Sequence, residues 1–358
     1  MAKKLNLTQV AKILGVSIAT VSNAFNRPDQ LSSKLREKIL AECERLGYRG
    51  PNLAARSLRI GASGVIGVVL VDSLSYSFSD PVASQLLQGV AELLVEKNKQ
   101  MLLLSGNIDS AEQRTAESLP DGFIIYGAIR HSTLDPILRL GKPVVHVDCL
   151  IDSTHSVNID NEIGSRTVAN HAMEYVKKKG NDSPNISVLG LRMVDSKRIC
   201  RLIESDFNSE SREISQRRLK GYLMAAKDNN MSISFDRIWH IPENDQEHAE
   251  IAARESLSTV PRPDILLCMS DINALAASRV CQELGIRIPE DIVLTGFDDI
   301  PEASRAVPSL TTICQQSIEK GKVAANLLLE AIAKGDDEKE NIQHIMLGTR
   351  LIVRNSCP

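Results

Sequence analysis

No apolar run approaches the ~18 residues that a membrane-spanning helix requires, so no span is expected. The seven cysteines (Cys43, Cys149, Cys200, Cys268, Cys281, Cys314 and Cys357) are odd in number, scattered, and form no CxxC pair. That distribution excludes a disulfide framework or a zinc site and points to reduced packing residues of a cytosolic protein. The histidines lack ligand spacing, so no metal is expected. No GxGxxG follows a first strand, and neither GxxxxGK[ST] nor G-x-S-x-G occurs, which removes the common signatures of nucleotide-dependent and hydrolytic enzymes. No cofactor and no catalytic residue is therefore assigned. The opening MAKKLNLTQVAK carries lysines without an apolar h-region or cleavage pattern, and export is not expected.

What is present is a chain of 358 residues, 43% hydrophobic and 24% charged. That composition belongs to a globular protein able to bury real cores, and the length suggests two or three compact units. Charge is unevenly placed. Residues 1–60 hold 11 Lys/Arg against 4 Asp/Glu, a net +7, so a chain of overall charge −3 leaves −10 for the remainder. A basic head on an acidic body suggests that the head alone meets a polyanion.

In the head, Leu7, Val10, Ala11 and Leu14 form one apolar face of a first helix that Gly15 ends. Ser17 is positioned to cap a second helix, with Val21 and Ala24 or Phe25 inward and Ile18, Ala19, Ser22 and Asn23 outward. Arg27-Pro28-Asp29 breaks the pattern. A third helix follows from Ser32 or Ser33, packed by Leu35, Ile39, Cys43 and Leu46 and stopped by Gly47. Brace helix, tight turn, and a second helix with a small polar outer face are the parts of a helix-turn-helix. Ser17, Ile18, Ala19, Ser22 and Asn23 would then face base edges, and Thr20, Ser22, Asn26 and Ser32 would anchor phosphates. Any amphipathic helix pair with a glycine turn shares this pattern; the charge of the head favours the DNA reading.

Beyond residue 65, apolar runs at 64–71, 101–105, 122–127, 143–148, 186–191, 237–241, 264–270 and 291–299 predict strands. Amphipathic stretches near 81–97, 161–179, 214–229, 245–258 and 271–284 predict helices between them. Such alternation implies parallel sheets covered by helices, and eight strands suggest two subdomains. Ligands of such folds bind at the carboxyl ends of strands, where Asp72, Asp148, Asp271, Asp298 and Asp299 lie. The charged segment 190–213 reads either as a solvated surface insertion, the favoured alternative, or as a lid using Arg192, Arg198 or Arg201. Trp239 alternates with apolar neighbours and reads as sheet core.

VAKILGVSIATVSNAFN, LSSKLREKILAECERLGYRGPNLAARSLR and GVIGVVL, followed in order by DGFIIYG, PVVHVD, NIDNEIGSRTVANH, RRLKGYLMA, PDILLCMSDINALAA, GIRIPEDIVLTGFDDIPEA, PSLTTICQ and LGTRLIVRNS, span essentially the whole chain. This series resembles the LacI/GalR (lactose-repressor) family of bacterial transcription regulators. The resemblance implies a small all-α helix-turn-helix DNA-binding domain (residues 1–50), a hinge helix and linker (51–62), and a two-subdomain α/β periplasmic-binding-protein-like core with parallel sheets (63–358). Chain crossings between the subdomains are implied near 158–161 and 292–315, with a helix over 316–334 returning to the first subdomain.

By the same resemblance, Ser17, Ile18, Ala19 and Asn23 read the major groove, Asn23 departing from the arginine common at that place. The hinge would put Leu58 into the minor groove beside Asn52, Ala55 and Arg56; apolar wedges kink a duplex, and arginine suits the negative minor groove. Periodicity alone would make 51–59 a short linker helix with a core leucine. Paired hinges imply a homodimer on pseudo-palindromic operator DNA, and no leucine-heptad tail follows LGTRLIVRNSCP to suggest a tetramer. The implied partner of the core is a small-molecule effector: a sugar, polyol, sugar phosphate or nucleoside.

Asp148, Arg218 and Asp298 match effector-contacting positions of the family, each with a salt bridge or helix cap as the alternative. Ser270 and Asp271 stand where relatives often carry Asn-Asp. Tyr76 and Phe78, in a loop predicted over 72–82, either stack on the effector or cap the subdomain rim. Expected location is the cytoplasm, at the nucleoid. The rivals are an exported binding protein, which would carry a signal peptide and no basic head, and an enzyme, for which the motifs are missing.

Overall fold

A computed structural model describes residues 5–48, 50, 62–106, 119–127, 135–211, 213–335 and 341–358. Contacts divide the chain into one unit of residues 1–65 with 118–121 and a larger one of 66–117 with 122–358.

In the head, α1 (Leu7–Leu14) starts at Asn6. The Asn6 side chain accepts from Gln9 N at 2.9 Å while the Gln9 side chain accepts from Asn6 N at 3.0 Å, a reciprocal cap that satisfies two helix-end donors. Gly15 closes α1 at φ 66°, a left-handed conformation that glycine adopts without steric cost. Helix α2 (Ile18–Asn26) begins at Ser17, whose Oγ accepts from Thr20 N at 3.0 Å. Helix α3 (Ser33–Arg45) begins at Ser32. Val10, Ala11, Val21, Ala24, Ile39, Cys43 and Tyr48 form the shared core. Leu35, expected in that core, is instead 37% exposed. Tyr48 fills the core from beyond α3, stacked edge-on against Phe25 with ring centroids 6.0 Å apart.

The larger unit runs β1 (Val65–Leu70), α4 (Leu74–Ser79), α5 (Pro81–Glu96), β2 (Gln100–Ser105), β3 (Gly122–Tyr126), α6 (Asp135–Leu138), β4 (Val144–Val147) and β5 (His155–Ile159). It continues through α7 (Asn161–Lys178), β6 (Ile186–Leu189), β7 (Cys200–Arg201), α8 (Ile214–Asp228), β8 (Ile238–His240), α9 (Gln246–Leu257), β9 (Ile265–Cys268), α10 (Asp271–Glu283) and β10 (Val293–Thr295). Last come α11 (Pro301–Arg305), β11 (Thr312–Cys314), α12 (Ser317–Lys334), β12 (His344–Leu347) and β13 (Arg350–Ile352).

These strands form two sheets, a six-stranded one in the order β12-β5-β4-β3-β1-β2 and a five-stranded one in the order β10-β9-β6-β8-β7, with β11 and β13 as a separate antiparallel pair. Strands such as β3 and β9 are buried along most of their length, which is why they are continuous apolar runs instead of alternating ones. Three passages join the subdomains. After β5 the chain enters α7, which packs on α8 beside the five-stranded sheet; after β10 it passes through β11 to α12, which packs on α5. From β12, at the edge of the six-stranded sheet, it returns through β13, and Ser356 Oγ donates to Leu294 O of β10.

Two glycines set how closely α5 and α12 approach. A Cβ on Gly89 would collide with Ile318 O, and one on Gly321 with Leu86 O, so backbone rests on backbone from both sides.

Segment 190–213 departs from the solvated insertion favoured from the sequence. It lays β7 antiparallel against β8, and Met193 and Leu202 are buried in the subdomain core. Its charged residues flank apolar anchors too widely spaced to show a period. Trp239 is fully buried in β8.

Candidate effector site and DNA-reading head

On α2, Ser17, Ile18 and Ala19 are exposed, while Thr20, Ser22 and Asn23 are half-buried. Ile18, at 42% exposure, stands outside the core that Val21 and Ala24 join. The Ser17 and Thr20 hydroxyls lie 2.7 Å apart. Asn23 Nδ2 donates to Gln30 Oε1 at 3.1 Å, so the amide is oriented by the turn that follows its helix. Ser32 Oγ is engaged as the cap of α3, accepting from Leu35 N. Asn26 lies at the last position of α2. Asn52, Ala55, Arg56 and Leu58 lie outside the described residues.

In the core, strand ends and the subdomain passages bring charged side chains together. Asp148 follows β4 with a left-handed backbone, φ 60°, a region that aspartate and asparagine tolerate better than most residues. Its two oxygens accept from Lys320 Nζ at 2.8 and 2.6 Å. Lys320, on α12, is fully buried, and it also donates to Gln315 Oε1 at 3.0 Å. Gln315 Nε2 donates in turn to Asp298 Oδ1 at 2.8 Å. Asp298 follows β10 and faces Arg218 of α8, Nη1 to Oδ1, at 3.5 Å. The Arg218 guanidinium lies 3.6 Å from the ring centroid of Phe297, donates from Nε to Asn161 Oδ1 at 2.9 Å, and also donates to Met269 O. A continuous chain of charge-assisted hydrogen bonds thus runs from the end of β4, through the β11–α12 passage, to the end of β10.

Burial pushes the Asp298 carboxyl well above the usual range, and Arg218 opposes the shift. Asp80 caps α5 by accepting from Val82 N at 3.0 Å, and its carboxyl is also raised, by burial. Burial first, then the fields of Asp80, Asp148, Tyr76 and Asp298, raise the Tyr126 phenol.

Tyr76 and Phe78 do not lie in a loop but on α4, and they part company there. Tyr76 is half-buried and bonds Asn244, whereas Phe78 is 62% exposed. The short helix starts at Ser73, whose side chain accepts from Tyr76 N. Ser270 caps α10 and donates to Asn244 Oδ1 at 2.6 Å, which brings an amide to the place where Ser270 supplies none.

Asp271 has a different position from the one expected. It is fully buried, with Oδ2 accepting from Ile300 N at 2.9 Å and Oδ1 from Thr312 Oγ1 at 2.5 Å, and burial raises its pKa to about 6. Its carboxylate therefore braces the segment carrying Asp298 from behind. Asp299 likewise turns to Arg354 Nη2 at 2.6 Å. Two arginines of the lid alternative serve locally: Arg192 pairs with Asp195, and Arg201 lies 5.3 Å from the ring centroid of Trp239.

Lys320, Gln315, Asn161 and Asn244 were not singled out from the sequence. Lys320 did carry a signal: it falls on the stripe of α12 that buries Ser317, Gly321, Ala324 and Leu328. A lysine there must find a buried partner.

Residues 6–52 match the family described as bacterial regulatory proteins, lacI family, and residues 197–357 match the periplasmic binding protein-like domain. An HTH-type transcriptional regulator of Mycobacterium tuberculosis is 34% identical over 345 residues, covering 93% of this chain and 92% of that protein. The chain belongs to the LacI family. As a LacI-family member it is a DNA-binding transcriptional regulator, and its relatives are regulators and not enzymes. Two solved structures share its fold. The lac repressor dimer bound to operator and the anti-inducer ONPF has a TM-score of 0.72 at 21% identity, covering 99% of each chain. The complex of the transcriptional regulator CelR with cellobiose has a TM-score of 0.66 at 24% identity, covering 98% of this chain and 99% of that one. Among the described residues of this LacI-family chain, no helix is long and apolar enough to cross a membrane.

Proposed function

We propose that this regulator is a repressor whose operator affinity is set by a small sugar-like effector held between the two core subdomains. The observation that carries the reading is the bonded chain Asp148–Lys320–Gln315–Asp298–Arg218, which draws on both subdomains and the passage between them. Carboxylates and amides at strand ends suit a ligand with several hydroxyls, because charge-assisted hydrogen bonds hold such groups well. The sugar bound by the CelR neighbour is consistent with that class. A ligand that bonds both halves favours one relative setting of the subdomains and so shifts the population presented to DNA.

In this reading residues 1–50 read the major groove through Ser17, Ile18, Ala19 and Asn23, and Thr20, Ser22, Asn26 and Ser32 hold phosphates. Residues 51–62 form the hinge, with Leu58 in the minor groove beside Asn52, Ala55 and Arg56. Residues 63–358 bind effector and pair two chains, so the operator is pseudo-palindromic. The protein works in the cytoplasm.

The experiment is a reciprocal pair. Leu58→Ala should weaken operator binding in a fluorescence-anisotropy titration by about tenfold or more, the loss of one wedge contact, and leave effector binding by calorimetry unchanged. Arg218→Ala should abolish the effector response while operator binding persists. Operator affinity equal to wild type in Leu58→Ala would refute the hinge assignment, and an intact effector response in Arg218→Ala would refute the site.

A further inference from the structure

The hydrogen-bond inventory of the cleft narrows the ligand further. An ammonium has three protons to donate, and all three of Lys320 are engaged, to Asp148 Oδ1, Asp148 Oδ2 and Gln315 Oε1. Lys320 is a fully buried side chain and Asp148 is 7% exposed, so the pair is fixed and is not a mobile surface contact. The Gln315 amide faces Lys320 with its oxygen and Asp298 with its nitrogen. Of Arg218, Nε and Nη1 bond Asn161, Met269 O and Asp298, and one face of the guanidinium is covered by Phe297.

Each cation of the floor thus lies against a carboxyl group, Lys320 against Asp148 and Arg218 against Asp298. An ionised carboxylate offers about four lone-pair sites. The Lys320 bonds use only part of this capacity on Asp148. The Lys320–Asp148 end of the floor thus presents spare acceptor capacity with its charge balanced. Hydroxyl groups donate to such a surface. A phosphate monoester, which is acceptor-rich and carries about −1.5 to −2 charges at neutral pH, would meet at that end a carboxylate and an ammonium whose three protons are all engaged.

We propose that Lys320 is a specificity-determining residue that keeps Asp148 charge-balanced, so that the cleft takes an uncharged polyhydroxyl compound and rejects its phosphorylated counterpart. This rests on the cleft being the effector site, as proposed above. Lys320 acts through Asp148: it leaves the carboxylate as an acceptor for ligand hydroxyls while cancelling the charge that would otherwise select a cation.

The test uses the full chain. Ribose, glucose, cellobiose and cyclohexanehexols, each beside its monophosphate, are titrated by thermal shift and calorimetry, since a ligand of the folded state raises the melting temperature. At least one neutral compound should bind, and its monophosphate should bind about tenfold or more weakly, a modest figure for unmatched like charge in a partly desolvated site. A monophosphate that binds as tightly as its neutral parent overturns the proposal. If no compound binds while operator binding is intact, the effector-site reading falls, and this inference with it.

The second arm is Lys320→Met. With Asp148 uncompensated, preference should move toward an amine-bearing ligand, so the ratio of affinities for glucose and glucosamine should shift by about tenfold toward the amine. A purely structural role for Lys320 would weaken both ligands equally, and an unchanged ratio refutes the specificity role. If Lys320→Met does not fold, the neutral-against-phosphate comparison on the wild-type chain decides alone.

Discussion

The Lys320–Asp148 pair lends itself to a double-mutant cycle because each partner can be neutralised with little change in shape. Lys320→Met keeps an unbranched side chain on the buried face of α12. Asp148→Asn keeps a residue that tolerates the left-handed backbone at φ 60°. At a closest N–O distance of 2.6 Å the Coulomb attraction is about 6 kcal/mol for an effective dielectric near 20, most of it offset by the desolvation of two ions. Removing one partner forfeits the attraction and leaves the other charge buried, so each single variant should lose about 3–5 kcal/mol.

The double variant has neither charge to desolvate and should recover most of that loss. Scanning calorimetry reads the cycle directly: each single variant should lower the melting temperature by roughly 10 °C, and the double by only a few degrees, at about 2–4 °C per kcal/mol for a domain of this size. Coupling of this kind is expected only between groups in contact. If the two single effects simply add in the double variant, the ion pair does not carry the energetics ascribed to it, and the account of a charge-balanced cleft fails.

Two further outcomes follow from other parts of the core. His146 is fully buried in β4, neither ring nitrogen has a hydrogen-bond partner among the described residues, and burial lowers its pKa from 6.5 to about 4. Its folded-state pKa is depressed, so its contribution to stability is complete above pH 6.5 and is lost as pH falls towards 4; the largest loss is roughly 3 kcal/mol. Denaturant titrations at pH 7 and pH 4 should show a smaller acid loss in His146→Leu than in wild type, and equal losses in both would refute the assignment. Gly321→Ala places a Cβ against Leu86 O. It should force α12 away from α5, lower the melting temperature, and disturb Lys320 one residue away; a variant with wild-type stability and ligand affinity would show that the helix contact can yield.

Much of the fold was legible because its signals are local. Capping residues and a glycine placed α1, α2 and α3, and every predicted strand from 64–71 to 291–299 has its counterpart in the sheets. Short elements escaped. Helix α4 has six residues, and β11 and β13 have three each, too few for a period to emerge. Asp298, which the strand-end rule singled out, lies against Arg218, a helix residue that only the family resemblance had named; Tyr76 bonds Asn244, and Phe78 is exposed.

The sequence by itself determined what depends on near neighbours: a basic helical head whose second helix has a small polar outer face, and alternating strands and helices whose parallel sheets place acidic residues at their carboxyl ends. Only the tertiary structure decided which side chains and backbone groups those acids bond. Asp271 and Asp298 look alike in sequence, yet one is bonded to the backbone of Ile300 and the other to Gln315 and Arg218. Lys320 meets Asp148 across 172 residues. A charge has no periodicity, and its partner is chosen by which elements pack together, so the pairing that balances the cleft exists only once α12 is laid against the six-stranded sheet.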